Sequence, residues 1–383
     1  MGKTLLNGYQ NIARVIPANY LGTYISTLGG NMKKKVIAVL MIVALLVTAL
    51  AACGKKEEPK QEGAETPVEE ASEAKESEEP ADAEESEAAT ADVVNVVALK
   101  GPTAMGMIEL MDSDGYNVEL LAAPDEVAPL IIQGKADIAA VPANLASVIY
   151  NKTEGGVQVL NINTLGVIYI IEKGEGVNSV EDLRGKTIFA SGQGATPEYA
   201  LRFILSENGI DPDNDVNIEW KSEHAECLSA LLESEEGVAM LPQPFVTTAM
   251  TKAEGLRVAL DLTEEWNRTQ EGAENPSKFL TGVTIVRKEF AEEHPEQVEA
   301  FLAAYSESVA FVNENVAEAA LLIEAADIVP AAIAEKAIPA CNIVFITGSE
   351  MKDALAGYLA VLADQNPQSV GGTLPKDDFY YER

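Results

Sequence analysis

The 383-residue chain carries 61 acidic against 27 basic residues, a formal net charge of −34. That balance argues against nucleic acid and against a polybasic membrane surface as partners. Two histidines and three cysteines are too few and too scattered for a zinc-ligand cluster, and neither a Gly-x-Ser-x-Gly elbow nor a Walker-type phosphate loop is present.

The first informative segment begins at Met32. Lys33-Lys34-Lys35 precedes an apolar run from Val36 to Ala49, then Leu50-Ala51-Ala52-Cys53-Gly54, after which the chain turns hydrophilic and acidic. A charged start, a short apolar core and small residues before a cysteine form a secretory signal. This one resembles the bacterial lipoprotein signal, which implies that Cys53 is the lipidated residue and the mature N-terminus. The alternative is a single transmembrane helix, for which Val36–Ala52 is near the lower length limit. Either places the remaining chain outside the cytoplasm at a membrane. Residues 1–31 are expected to be a spacer or an artefact of the start site. Residues 54–92 read as an acidic tether, because Lys55–Asp92 holds fifteen acidic residues, four lysines and no aromatic residue. Such a composition buries too little apolar surface to offset chain entropy, and self-repulsion extends it.

From Val93 the pattern is α/β. Strands are expected at Val93–Leu99, Val118–Leu121, Ala136–Val141, Val157–Asn161 and Gly166–Glu172, with helices over Ala104–Met111, Glu126–Gln133 and Pro142–Asn151. The pattern then restarts. Ser179 caps a short helix, Lys186–Ala190 is a strand, and Ser191–Glu198 is a glycine-rich turn into a helix that stops at Asn208-Gly209. Val216–Trp220, Gly237–Leu241 and Arg257–Leu260 are further strands, with helices at Ala225–Glu233 and Phe245–Lys252. After one more strand at Thr281–Val286 the chain reads as helical: Pro295–Val312, Val316–Ala325, Pro330–Ala337 and Ser349–Ala363.

In open α/β sheets, ligands sit beyond the carboxyl ends of strands, where free amides and the positive end of a helix dipole meet acceptor atoms. Three loops have this form: Gly101-Pro102-Thr103-Ala104, Pro142-Ala143-Asn144, and Ser191-Gly192-Gln193-Gly194-Ala195-Thr196. Plainer readings stand beside them. Gly192-x-Gly194 serves equally as a tight strand–helix turn, Asn144 as a helix cap, His224 as a helix start, and Trp220 and Trp266 as packing residues. Glu223 and Glu226 are not positioned as an acid–base pair, Asp137 is expected to satisfy backbone at a strand edge, and Cys227 with Cys341 could pair or remain free thiols.

Four segments in order resemble one family. Ala136-Asp137-Ile138-Ala139 is similar to its strand-end phrase, and Ser179–Gly185 with Lys186-Thr187-Ile188 to its second-lobe opening. Gly192–Pro197 is similar to its binding loop, and Met240-Leu241-Pro242-Gln243-Pro244 to its hydrophobic-Pro-x-Pro loop. The family is that of extracytoplasmic solute-binding proteins of ABC importers, the nitrate/sulfonate/taurine/thiamine-precursor group. The resemblance implies a two-lobed type II periplasmic-binding fold with a hinge and C-terminal helices. Lobe 1 would comprise 93–173 and 275–383, lobe 2 would comprise 174–274, and the hinges would lie near Glu172–Gly176 and Asp261–Thr281. It implies a small polar or anionic solute held by the three loops and Gln243, an ABC permease with its ATPase as partners, no cofactor, and no bond chemistry. Gln243 stands where the family often has Glu, and no arginine cluster lines the loops, which weakens a simple sulfonate or nitrate assignment. A ligand sensor remains an alternative, as does an enzyme of the thiamine-precursor or menaquinone-pathway type.

Overall fold

The computed structural model describes residues 93–272 and 276–382. The expected signal, Cys53 and the expected acidic tether lie outside the described residues. Asp92–Arg383 is one compact unit.

In chain order the elements are β1 (Val94–Leu99), α1 (Pro102–Met105), β2 (Tyr116–Leu121), α2 (Val127–Ile132), β3 (Ile138–Pro142), α3 (Ala143–Lys152), β4 (Val157–Leu165) and β5 (Ile168–Lys173). They continue with β6 (Thr187–Ser191), α4 (Thr196–Glu207), β7 (Asn217–Lys221), α5 (His224–Glu233), β8 (Val238–Pro242), α6 (Phe245–Lys252), β9 (Leu256–Asp261) and α7 (Leu262–Thr269). The last are β10 (Leu280–Arg287), α8 (Lys288–Glu293), α9 (Pro295–Glu314), α10 (Val316–Ala325), α11 (Ala331–Ala337), β11 (Ile343–Ile346) and α12 (Gly348–Gln365).

The strands form two sheets, ordered β11-β4-β10-β3-β1-β2 and β7-β6-β8-β5-β9. Each contains the same device. Three parallel strands with the first in the middle (β2-β1-β3 and β7-β6-β8) are flanked by an antiparallel strand that enters from the other half, β10 in the first sheet and β5 in the second. Inner strands read as unbroken apolar runs because both faces are covered, as in Ile138-Ala139-Ala140-Val141. One core joins the halves, running from Val159 and Val283 through Ile170 and Met240 to Trp266 and Tyr358. A second lies under α9–α11 against the first sheet, and a small third lies between β5, β8 and the helices α5 and α6.

Four expectations need revision. Ile168–Lys173, expected in the first lobe, hydrogen-bonds to β8 and β9, so the chain crosses between sheets at Gly166-Val167. Apolar content fixes that a segment is a strand and says nothing of which sheet receives it. Glu172–Gly176, expected as a hinge, lies beyond that crossing, at the end of a strand of the second sheet. The buried Glu172 carboxylate accepts the amides of Gly176 and Val177, each at 3.1 Å, and pairs with Arg257. Finally, the C-terminal region is not wholly helical, because β11 pairs with β4 at the sheet edge through Ile343–Thr164 and Ile346–Ile162. Its four residues are too short to stand out between helical patterns. The helix expected over Ala104–Met111 is likewise only the short α1, followed by turns and a 3-10 segment at Leu110–Asp112.

Candidate functional site

The carboxyl ends of the parallel strands carry the helix starts. In the first sheet, β1 ends before α1 and β3 before α3, and in the second, β6, β7 and β8 run into α4, α5 and α6. Gly101 precedes α1 with φ 139°, Pro102 opens the helix, and a Cβ built on Gly101 would meet nothing. The Thr103 hydroxyl donates to the Leu99 carbonyl at 2.9 Å, and Ala104 turns its methyl into the second core. Pro142 is the residue before α3, Ala143 packs in the joint core, and Asn144 occupies the first turn. The antiparallel β10 starts at this same edge, with Gly282 opposite Pro142. A Cβ on Gly282 would collide with Asn163 and come within 2.8 Å of the Thr103 methyl, so these residues crowd one corner.

On the second sheet, Ser191 ends β6, Gly192 and Gly194 sit at φ 83° and 77°, Gln193 is exposed, and Ala195 precedes Thr196 at the start of α4. Thr196 is one point of contact between the halves. Its hydroxyl donates to Asn144 Oδ1 at 3.2 Å, while Asn144 Nδ2 donates to the Ser369 carbonyl at 3.2 Å. Asn144 is therefore a clasp between α3, α4 and the segment after α12, and not a cap. Beside Thr196 lies the Tyr358 hydroxyl, fully buried and without a hydrogen bond of normal geometry. Burial pushes that phenol's pKa up, so it stays protonated and is an unused donor.

Gln243 is less free than expected. Its Oε1 accepts from the Thr247 amide at 3.2 Å and the Thr247 hydroxyl at 2.9 Å, which ties it to the first turn of α6. Phe245 is an addition that sequence reasoning missed, and His224, read there first as a helix start, is both that and a partner of Ser191. His224, the first residue of α5, places Nδ1 2.6 Å from Ser191 Oγ, and its ring lies 4.6 Å from that of Phe245, which leaves 39% of Phe245 exposed. Burial holds the His224 pKa down to about 4, so the imidazole is uncharged at neutral pH. Thr196, His224 and Phe245 each open the helix after a parallel strand, and that shared position is the signal a sequence reader could have used. Tyr358, some 160 positions from Thr196, carried no such signal.

The other assignments sort plainly. Asp137 accepts the Asn95 amide at 3.0 Å and pairs with Arg287 at 3.0 Å. Trp266 is fully buried, stacked on Phe279 at 5.4 Å, and gives its N–H to Ser277. Cys227 and Cys341 are buried free thiols. Among the described residues no group of three or more His, Cys, Asp and Glu is arranged to hold a metal, and no helix is long and apolar enough to cross a membrane. The Ser191–His224 pair has two parts of a nucleophile–base arrangement. Among the described residues no carboxylate orients the imidazole, and its lowered basicity suits hydrogen bonding more than proton abstraction.

Two sheets that exchange one strand each, with helix starts facing across a bonded junction, define the two-lobed periplasmic-binding-protein fold. The NMT1/THI5-like family matches residues 112–319, more than half of the sequence, and the chain belongs to that family. Solved structures share the fold. An ABC transporter protein from Parabacteroides distasonis is 23% identical with a TM-score of 0.64, covering 76% of this chain and 99% of that one. The periplasmic aliphatic sulphonate binding protein SsuA from Escherichia coli is 13% identical with a TM-score of 0.60, covering 76% and 92%. A ligand-binding component of an ABC-type import system from Staphylococcus aureus, with zinc bound, is 15% identical with a TM-score of 0.57, covering 76% and 96%. No curated protein sequence matches the chain.

Proposed function

We propose that this chain is the solute-binding component of an ABC importer, anchored outside the cytoplasm by lipid on Cys53. It holds a small polar solute between its two halves and delivers it to a permease and its ATPase. The observation that carries the reading is the Thr196–Asn144 bond. It joins a helix start of one sheet to a helix start of the other; the chain leaves the first sheet near Gly166 and re-enters it at Leu280, and on this reading the halves bend about those crossings. Solute between the halves would add contacts to both and shift the population toward closure, with no bond made or broken. On this reading the halves are 93–165 with 280–383, and 168–269.

Gly101, Thr103, Ser191, Thr196, His224 and Phe245 are the residues we assign to the solute. The experiment is to purify the full chain from detergent-solubilised membranes, denature it, and identify released small molecules by mass spectrometry, with scattering radius measured before and after solute removal. A stoichiometric solute whose removal expands the protein supports the receptor. Turnover of a solute would instead favour an enzyme on this fold, the second reading, for which the Ser191–His224 bond speaks.

A further inference from the structure

The loop before α4 has the outline of an anion cradle: two glycines at positive φ leading into a 12-residue helix. Helix starts of this kind attract phosphate, sulfonate and carboxylate groups through free amides and the positive dipole end. Here the cradle is already filled from within. The Gly194 amide donates to Glu198 Oε2 at 2.7 Å, and the Ala195 amide to the Gly192 carbonyl at 3.2 Å. Glu198 is held in place, because its other oxygen accepts from Arg202 Nε at 2.9 Å and its side chain is only 13% exposed. Arg202 is shared with Asp213 at 2.9 Å, so the cluster carries two negative charges against one positive.

Among the described residues that face it, neither His224 nor Lys221 brings an unpaired positive charge. His224 is uncharged, and Lys221 beside Ser191 is paired with Glu219 at 3.0 Å and lies over the Phe189 ring. What remains is neutral: the Tyr358 hydroxyl, fully buried beside Thr196 and without a hydrogen bond of normal geometry, the hydroxyls of Ser191 and Thr196, the imidazole, and the open face of Phe245. Resting on the receptor reading above, we propose that the site takes an uncharged polar solute, and that the Glu198 carboxylate excludes anions from the α4 helix start.

The test measures binding of ethanesulfonate and of inorganic sulfate by calorimetry to the full chain and to two variants. Glu198→Gln keeps the side chain's shape and removes its charge. It should tighten both anions by at least about tenfold, the scale of relieving one like charge at close range near a protein surface. Arg202→Gln leaves the carboxylate and should not tighten either anion, which separates a charge effect from general loosening of the loop. If the parent chain binds ethanesulfonate as tightly as Glu198→Gln does, or if Glu198→Gln gains nothing, the proposal is overturned. Should Glu198→Gln fail to fold, the parent chain's own affinity and the charge of the co-extracted solute decide: a sulfonate, phosphate or nitrate refutes the idea, an uncharged molecule upholds it. Failure of the receptor reading shows differently, as no co-extracted solute and no change in radius, while the anion comparison still reads the role of Glu198.

Discussion

The crossing at Gly166 offers the sharpest test of how the two halves are joined. Gly166 is buried between β4 and β5, and a Cβ placed there would overlap Thr263 Oγ1 and lie 2.5 Å from Phe279 Cδ1. The two obstacles differ. Thr263 can rotate, and its hydroxyl is already buried without a partner. Phe279 cannot yield, because it stacks on Trp266 at 5.4 Å and abuts Tyr358 at 6.3 Å. Overpacking of a rigid core site costs about 1–3 kcal/mol, and a wall made of an aromatic cluster puts Gly166→Ala in the upper half of that range. For a folded unit of this size that is roughly 3–5 °C in melting temperature. Thr263→Ala alone should be near neutral, since it deletes an unsatisfied hydroxyl. In the double variant it should recover about 1 kcal/mol, because the two positions touch. Thermal unfolding followed by circular dichroism gives all four values. If Gly166→Ala melts where the parent does, the crossing is not packed against Phe279 as the structure has it.

Four further outcomes are expected. Asn144→Ala removes two bonds that tie α3 to Thr196 and Ser369, and should lower the urea midpoint by the equivalent of about 1–2 kcal/mol; an unchanged midpoint would remove the clasp. His224 has its pKa depressed to about 4, so the unfolded state binds its proton first and stability should fall as pH drops from about 6.5 towards 4, by about 3 kcal/mol at most. His224→Gln should flatten that part of the melting-temperature profile, and an unaltered slope would locate the effect in the carboxylates. Gly194→Val meets no steric wall yet sits at φ 77°, so it should cost about 1–2 kcal/mol of stability; an unchanged melting temperature would show that the loop accepts a side chain at that angle. Cys53→Ser should move the protein from the membrane to the soluble fraction on centrifugation, and its persistence in membranes would favour a spanning segment.

Much of the architecture was legible because it rests on local rules. Apolar runs of five or six residues ending in Pro142, Ser191 and Pro242 mark strands buried on both faces, and the Ser179 capping box and the Asn208-Gly209 stop mark helix limits whatever surrounds them. The acidic balance and the scarcity of His and Cys pointed away from nucleic-acid binding and zinc chemistry before any fold was known. Long-range pairing was not legible. Nothing in Ile168–Lys173 distinguishes a strand that stays in its sheet from one that crosses, because both demand the same apolar residues and differ only in which edge is free. The same holds for the site. Glycine spacing pointed to the loop before α4, but whether its amides were open was decided by Glu198 folding back over one turn of helix. His224 became a neutral partner of Ser191 only once packing stripped it of water. Thr196, Asn144 and Tyr358 come from three distant stretches of chain, and the core that joins the halves is what sets them side by side.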